Sequence, residues 1–111
     1  MLQRPGLIPI VPAMVVAEAT YLIGTRQGPS IESRFLGALG ELDVRAPATE
    51  DWERIGELVR EYADFPLGGT DASIVALAER LNTDLLLTFD ARHFAAIRPR
   101  HCSAFELLPG P

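Results

Sequence analysis

The sequence predicts an α/β fold in which a parallel sheet is flanked by helices, and three observations lead there. Short apolar runs alternate with helical stripes of about 10 to 15 residues, the pattern of βα units around a parallel sheet. The run at residues 85–89, Leu-Leu-Leu-Thr-Phe, is almost wholly apolar, as expected of a strand covered on both faces. The 111-residue chain is 48% hydrophobic and 23% charged, an ordinary globular composition that allows a single domain with one modest core.

The first strand is expected over residues 7–11, with Pro9 favouring an edge or a bend and Pro12 ending it. Proline suits the first turn of a helix, so Pro12 also opens a predicted helix over 13–23, stopped by Gly24. After the turn Gly28-Pro29-Ser30, the spacing of Ile31, Phe35, Leu36 and Leu39 predicts a second helix capped by Ser30 and ending near Gly40. Residues 42–46 form a short strand candidate closed by Pro47. Thr49 then caps a third helix, with Glu50 and Asp51 at its positive end and Trp52, Ile55, Leu58, Val59 and Tyr62 as its apolar stripe. Residues 65–69, Phe-Pro-Leu-Gly-Gly, break it. A fourth helix follows Thr70-Asp71, carries Ile74, Leu77, Ala78 and Leu81 on one face, and ends at Asn82. The strand at 85–89 comes next, then a helical turn at 91–95 and a last strand at 104–108.

The net charge of −5 argues against binding nucleic acid by counterion release from a basic surface. It does not argue against a nuclease, because a carboxylate pocket for a divalent cation must itself be acidic. Cys102 is the single cysteine, which points to a reducing compartment and away from a thiolate zinc site. No apolar stretch approaches the roughly 20 residues needed to cross a bilayer, since the segment 6–16 is broken by Pro9 and Pro12. Cytoplasm is the expected location.

Three acids stand out. Glu18 has Met14, Val15, Tyr21 and Leu22 as its helical neighbours, so it is expected on a buried face, where a carboxylate needs a cation, either a metal or a basic side chain such as Arg26. Asp71 opens a helix after a glycine-containing loop; capping alone would explain it, unless Thr70 takes that work and frees the carboxylate for a cleft. Asp90 follows a buried strand directly, at the sheet edge where ligands of parallel α/β folds bind, although it too can cap the turn behind it. Three carboxylates brought to one sheet edge are what Mg²⁺ or Mn²⁺ requires, since these ions take oxygen ligands and keep several waters. His93 and His101 lack metal-ligand spacing and are expected as surface or core residues.

The run 12–22, Pro-Ala-Met-Val-Val-Ala-Glu-Ala-Thr-Tyr-Leu, resembles the helix motif that follows the second strand in PIN domains of the VapC type. Residues 70–78, Thr-Asp-Ala-Ser-Ile-Val-Ala-Leu-Ala, and 87–94, Leu-Thr-Phe-Asp-Ala-Arg-His-Phe, resemble the two later motifs of that family, in the same order and spacing. The resemblance covers essentially the whole chain. It implies a PIN-like three-layer fold and a toxin of a toxin–antitoxin pair, acting as an endoribonuclease that requires Mg²⁺ or Mn²⁺. It also implies a homodimer, and an antitoxin of the VapB type whose tail enters the acidic groove. Carried over by position, Glu18, Asp71 and Asp90 would be the catalytic metal-site acids, Thr70 a supporting hydroxyl and Arg92 a phosphate contact.

The family pattern starts with an apolar strand ending in Asp and two helices, whereas this sequence starts at what looks like the second strand and has no acid before Glu18. An N-terminally truncated PIN-like domain is therefore the expectation, whether from a start codon assigned too late, a fragment or a degenerate copy. Weak metal binding and little cleavage would follow if the chain were complete. A non-catalytic PIN-fold module that binds antitoxin or RNA is the alternative. A receiver-like or nucleotide-binding domain fits less well, because no glycine-rich phosphate loop is present.

Overall fold

A computed structural model describes residues 9–65, 67–87 and 94–108. They fall into two compact units divided between Ala48 and Thr49.

In the first unit, strand β1 (Ile10–Pro12) leads into helix α1 (Ala13–Gln27), followed by helix α2 (Pro29–Ala38), a single 3₁₀ turn (Leu39–Glu41) and strand β2 (Asp43–Arg45). The two strands pair in parallel, with Ile10 opposite Asp43 and Pro12 opposite Arg45. Pro12 serves both elements: its extended backbone ends the strand and stands at the N-cap of α1.

Gly24 does not stop α1, contrary to expectation; the helix runs on to Gln27. Gly24 instead lies against α2, where a Cβ would fall 2.7 Å from Glu32 Oε1. The helix ends at Gly28, whose φ of 88° is one that side chains resist. Its N–H donates to the Gly24 carbonyl at 3.2 Å. Gly28 is also the N-cap of α2 and Pro29 its first residue, so Ser30 is not the cap.

In the second unit, helix α3 (Thr49–Glu61) and helix α4 (Gly69–Leu81) precede strand β3 (Leu85–Leu87) and strand β4 (Glu106–Leu108). β3 and β4 are parallel, with Leu85 opposite Glu106 and Leu86 opposite Leu107. The described strands thus form two parallel pairs among helices, in keeping with the expected α/β class. Asn82, at φ 55°, ends α4 as the sequence indicated, and Thr83 N–H closes the turn on the Ala78 carbonyl at 3.0 Å.

Leu58, Val75 and Ile97 are fully enclosed, with Ile55, Leu67, Ala72, Leu86, Phe94 and Phe105 around them. The apolar stripe expected on α3 is only half right. Ile55 and Leu58 are buried, but Trp52 is 53% and Val59 38% exposed, while Asp51 is 5% exposed. The buried face is therefore turned toward the line of Asp51, Ile55, Leu58 and Tyr62, and Asp51 tolerates this because Arg80 of α4 bonds its carboxylate at 2.8 Å. Among the described residues, no helix is long and apolar enough to cross a membrane.

Candidate functional site

Helix α4 begins without a side-chain cap. Gly68 is its N-cap residue, and Asp71 is the acid of its first turn. The Ala72 N–H reaches back to the Gly68 carbonyl at 2.9 Å. Thr70 does not cap the helix; its carbonyl accepts a 2.6 Å hydrogen bond from the Ser73 hydroxyl, which is 3% exposed. The buried Ala72, Ser73 and Val75 pin this turn to the core, while Thr70 and Asp71 remain half-buried at its edge. Asp71 therefore sits where the unpaired N–H groups of the helix start favour negative charge.

Glu18 lies in the second turn of α1, within the first unit, and is exposed. Burial was the expectation, and it fails because apolar neighbours do not ensure a covering layer: Tyr21 is 69% and Leu22 39% exposed, and α1 has no fully buried residue. Among the described residues Glu18 and Arg26 form no ion pair. Asp90, Arg92 and His93 lie outside the described residues. Thr70 and Asp71 are thus adjacent in one helical turn, and among the described residues no group of three or more His, Cys, Asp or Glu is arranged to hold a metal.

The second unit also contains an ionic cluster that the motifs gave no sign of. Arg54 of α3 grips Glu79 of α4 with two parallel hydrogen bonds, Nε to Oε1 and Nη2 to Oε2, each 2.8 Å. The Arg100 backbone N–H adds a third at 2.9 Å, and the Arg100 guanidinium bonds Glu57 at 2.6 Å. Burial pushes the Glu79 carboxyl up, but the hydrogen bonds from Arg54 and Arg100 outweigh it and hold the group below the usual carboxylate value. The bond to Glu79 raises Arg54 in turn.

Arg54, Glu79 and Arg100, with Glu50, Asp51, Ala76, Arg80 and His101, line a cleft of about 490 Å³. Its three acids face three arginines, so it attracts neither sign of charge strongly. It also lies around Glu79, eight residues beyond Asp71 and hence about 12 Å further along the helix. The arginines of this cleft tie α3 to α4. A sequence signal for the cluster existed only as spacing: Asp51 and Arg54 on one helix, Glu79 and Arg80 on the next.

His101, at the rim, is a structural residue as expected. Its Nε2 is 2.6 Å from the Thr83 carbonyl, and its ring is tilted against Phe105 at 5.8 Å. Cys102 is half-buried beside it, with Sγ 3.6 Å from Nε2.

Comparison with known proteins extends the motif resemblance across the chain. The PIN domain family model matches residues 6–98. Ribonuclease VapC26 of Mycobacterium tuberculosis (strain ATCC 25618 / H37Rv) is 36% identical over 102 residues, covering 90% of this chain and 76% of that protein. With a match over this length and a VapC relative at this identity, the chain belongs to the PIN domain family, among its VapC-type members.

Proposed function

We propose that this protein is a VapC-type toxin: an endoribonuclease that hydrolyses RNA phosphodiester bonds with Mg²⁺ or Mn²⁺ held by carboxylates, and that is restrained by a VapB-type antitoxin in the cytoplasm. The observation that carries this reading is that the PIN match over residues 6–98 contains all three acids, Glu18, Asp71 and Asp90. The ribonuclease name of a relative aligned to 90% of the chain supports it.

The donor chemistry suits a hard dication. Glu18 is exposed and Asp71 is half-buried, and both supply the carboxylate oxygens that an ion keeping part of its water shell takes. When bound, such an ion polarises a phosphate and lowers the pKa of a water molecule. The protein's own part is to supply the oxygens: Glu18 from α1, Asp71 from the first turn of α4, and Asp90 from beyond β3. The buried Ser73 hydroxyl braces the Thr70 carbonyl and so holds the Asp71 turn in place. Thr70 offers a supporting hydroxyl and Arg92 a positive contact for a phosphate. A homodimer and an antitoxin segment entering the acidic groove complete the reading.

RNA cleavage in Mg²⁺ buffer, with and without EDTA, tests it. Cleavage should stop with EDTA and should fall at least about 100-fold in Glu18→Gln, Asp71→Asn and Asp90→Asn. Calorimetric titration with Mn²⁺ supplies the second readout, and Asp71→Asn should weaken binding. Absent binding, or binding indifferent to Glu18→Gln and Asp71→Asn, would replace the enzyme by a non-catalytic module for antitoxin or RNA.

A further inference from the structure

In the second unit Arg54, Arg80 and Arg100 each bond a carboxylate, but Arg98 does not. Its Nη1 donates instead to two carbonyls of its own turn, Ala95 at 2.8 Å and Ile97 at 3.2 Å. Among the described residues no acid pairs with it, and Glu57 and Glu61 of α3 are engaged by Arg54 and Arg100. The Nε and Nη2 groups of Arg98 have no partner among the described residues, and the residue is exposed. That is the edge with which Arg54 grips Glu79, a planar fork that fits two oxygens of a carboxylate or a phosphate.

The main chain holds this side chain in place. Ile97 and Pro99 are both buried and Arg98 lies between them. The Ile97 N–H closes the turn on the Phe94 carbonyl at 3.2 Å, and Pro99 confines the residue before it to extended conformations. The Arg98 N–H donates to the Tyr62 hydroxyl at 2.9 Å. Part of the cost of ordering a long side chain is therefore met before any ligand arrives.

Tyr62 also fixes where Arg98 stands along the helix pair. The Asp51–Arg80 and Arg54–Glu79 bonds run α3 and α4 antiparallel. Tyr62 lies eight residues beyond Arg54, with its N–H still bonded to the Leu58 carbonyl at 3.0 Å, and Asp71 lies eight before Glu79. Each step is about 12 Å, so Tyr62 and Asp71 stand level at one end of the pair.

We infer that Arg98 binds, through Nε and Nη2, a phosphate of the RNA strand neighbouring the one that is cleaved. The inference rests on the ribonuclease reading and adds to it a residue outside the three motifs. A chain of net charge −5 repels its polyanionic substrate and needs fixed cations near its metal-site acids. Arg98 meets that need at the end of the helix pair where Asp71 stands. Arg60 does not, because Glu57 and Asp64 lie three residues before it and four after it on the same stretch of chain.

Fluorescence anisotropy of a labelled single-stranded RNA of about 20 nucleotides, titrated in Ca²⁺ buffer at several salt concentrations, tests it. Arg98→Gln should weaken binding about 5-fold and lower the slope of log K against log salt by about 0.7, the loss of one phosphate contact. Arg98→Lys should keep the slope, because the charge stays, and bind between the two. Arg60→Gln should match the wild type in both. In Mg²⁺ buffer Arg98→Gln should raise KM about 5-fold and leave kcat within about 2-fold, as expected of a contact made equally to substrate and transition state. Circular dichroism of each variant should remain that of the wild type, and if Arg98→Gln fails to fold, the slope and affinity of Arg98→Lys decide. A wild type that binds RNA while Arg98→Gln matches it in affinity and slope overturns the inference and leaves the ribonuclease reading standing. Weaker binding with an unchanged slope, or an equal fall of slope in Arg60→Gln, overturns it too. A wild type that neither binds nor cuts RNA brings down the ribonuclease reading and this inference with it.

Discussion

Replacing Arg54 by methionine isolates what the ionic cluster contributes. Methionine keeps most of the unbranched stem and removes the guanidinium, which leaves Glu79 with the Arg100 N–H as its remaining donor in the cluster and a side chain 10% exposed. Removing one partner of a buried ion pair costs about 3–5 kcal/mol. The cleft beside this pair opens to water, which lowers the expected cost to about 2–3 kcal/mol. At about 4–8 °C per kcal/mol for a domain of this size, the melting temperature at pH 7 should fall by about 10–20 °C. The pH dependence identifies the cause. Because the folded protein holds the Glu79 carboxyl below its ordinary 4.5, the pair stabilises fully above that pH and loses its contribution as the pH falls through the lowered value. The gap between wild type and Arg54→Met should therefore begin to close only below pH 4.5 and narrow further as the pH falls. Thermal melts followed by circular dichroism at pH 7, 5, 4 and 3 give the comparison. A gap below about 0.5 kcal/mol at pH 7, or one unchanged at pH 3, would refute the assignment of this pair as a main α3–α4 tie.

Other expectations follow from individual positions. Leu58→Ala, at a fully enclosed site, should cost about 2–5 kcal/mol in chemical denaturation. Gly28→Ala should cost about 1–3 kcal/mol, because a φ of 88° with ψ near 174° belongs to glycine. Gly24→Ala should be neutral or gain up to about 1 kcal/mol, since the obstructing atoms are the mobile end of Glu32 and alanine favours the helix. The same glycine-to-alanine change should thus cost stability at Gly28 and none at Gly24, four residues apart. Arg100→Ala, whose guanidinium is 63% exposed, should change stability by less than about 1 kcal/mol.

The helices of this chain were readable where local chemistry acts alone. Asn82 marks the end of α4, and Pro12 with its neighbours marks the start of α1, because a terminus is decided by a few backbone groups. Gly24 of α1 misleads because glycine inside a helix and glycine after one look the same in sequence; only the nearby Glu32 distinguishes them. The tilt of α3 was hidden for a related reason. Trp52 and Asp51 exchange the places their polarities suggest, since an arginine 29 residues away offsets part of the cost of burying Asp51. At the candidate site, Asp71 was legible from its motif and stands where a helix start favours an anion. Glu18 was legible as a motif residue, but its surroundings were not, because burial depends on what covers a face rather than on which residues compose it.

Among the described residues, every fully enclosed side chain belongs to 49–111, and none to α1, α2 or the strands beside them. Amide protons should keep time differently in the two halves of the sequence. Those of α1 and α2 should trade for deuterium through frequent partial openings, while those around Leu58, Val75 and Ile97 should wait for the rarest events the chain undergoes. Glu18 would then ride on the fast clock and Asp71 on the slow one. An ion that binds at Glu18 would slow exchange in α1, so that its binding could be followed by mass without any turnover.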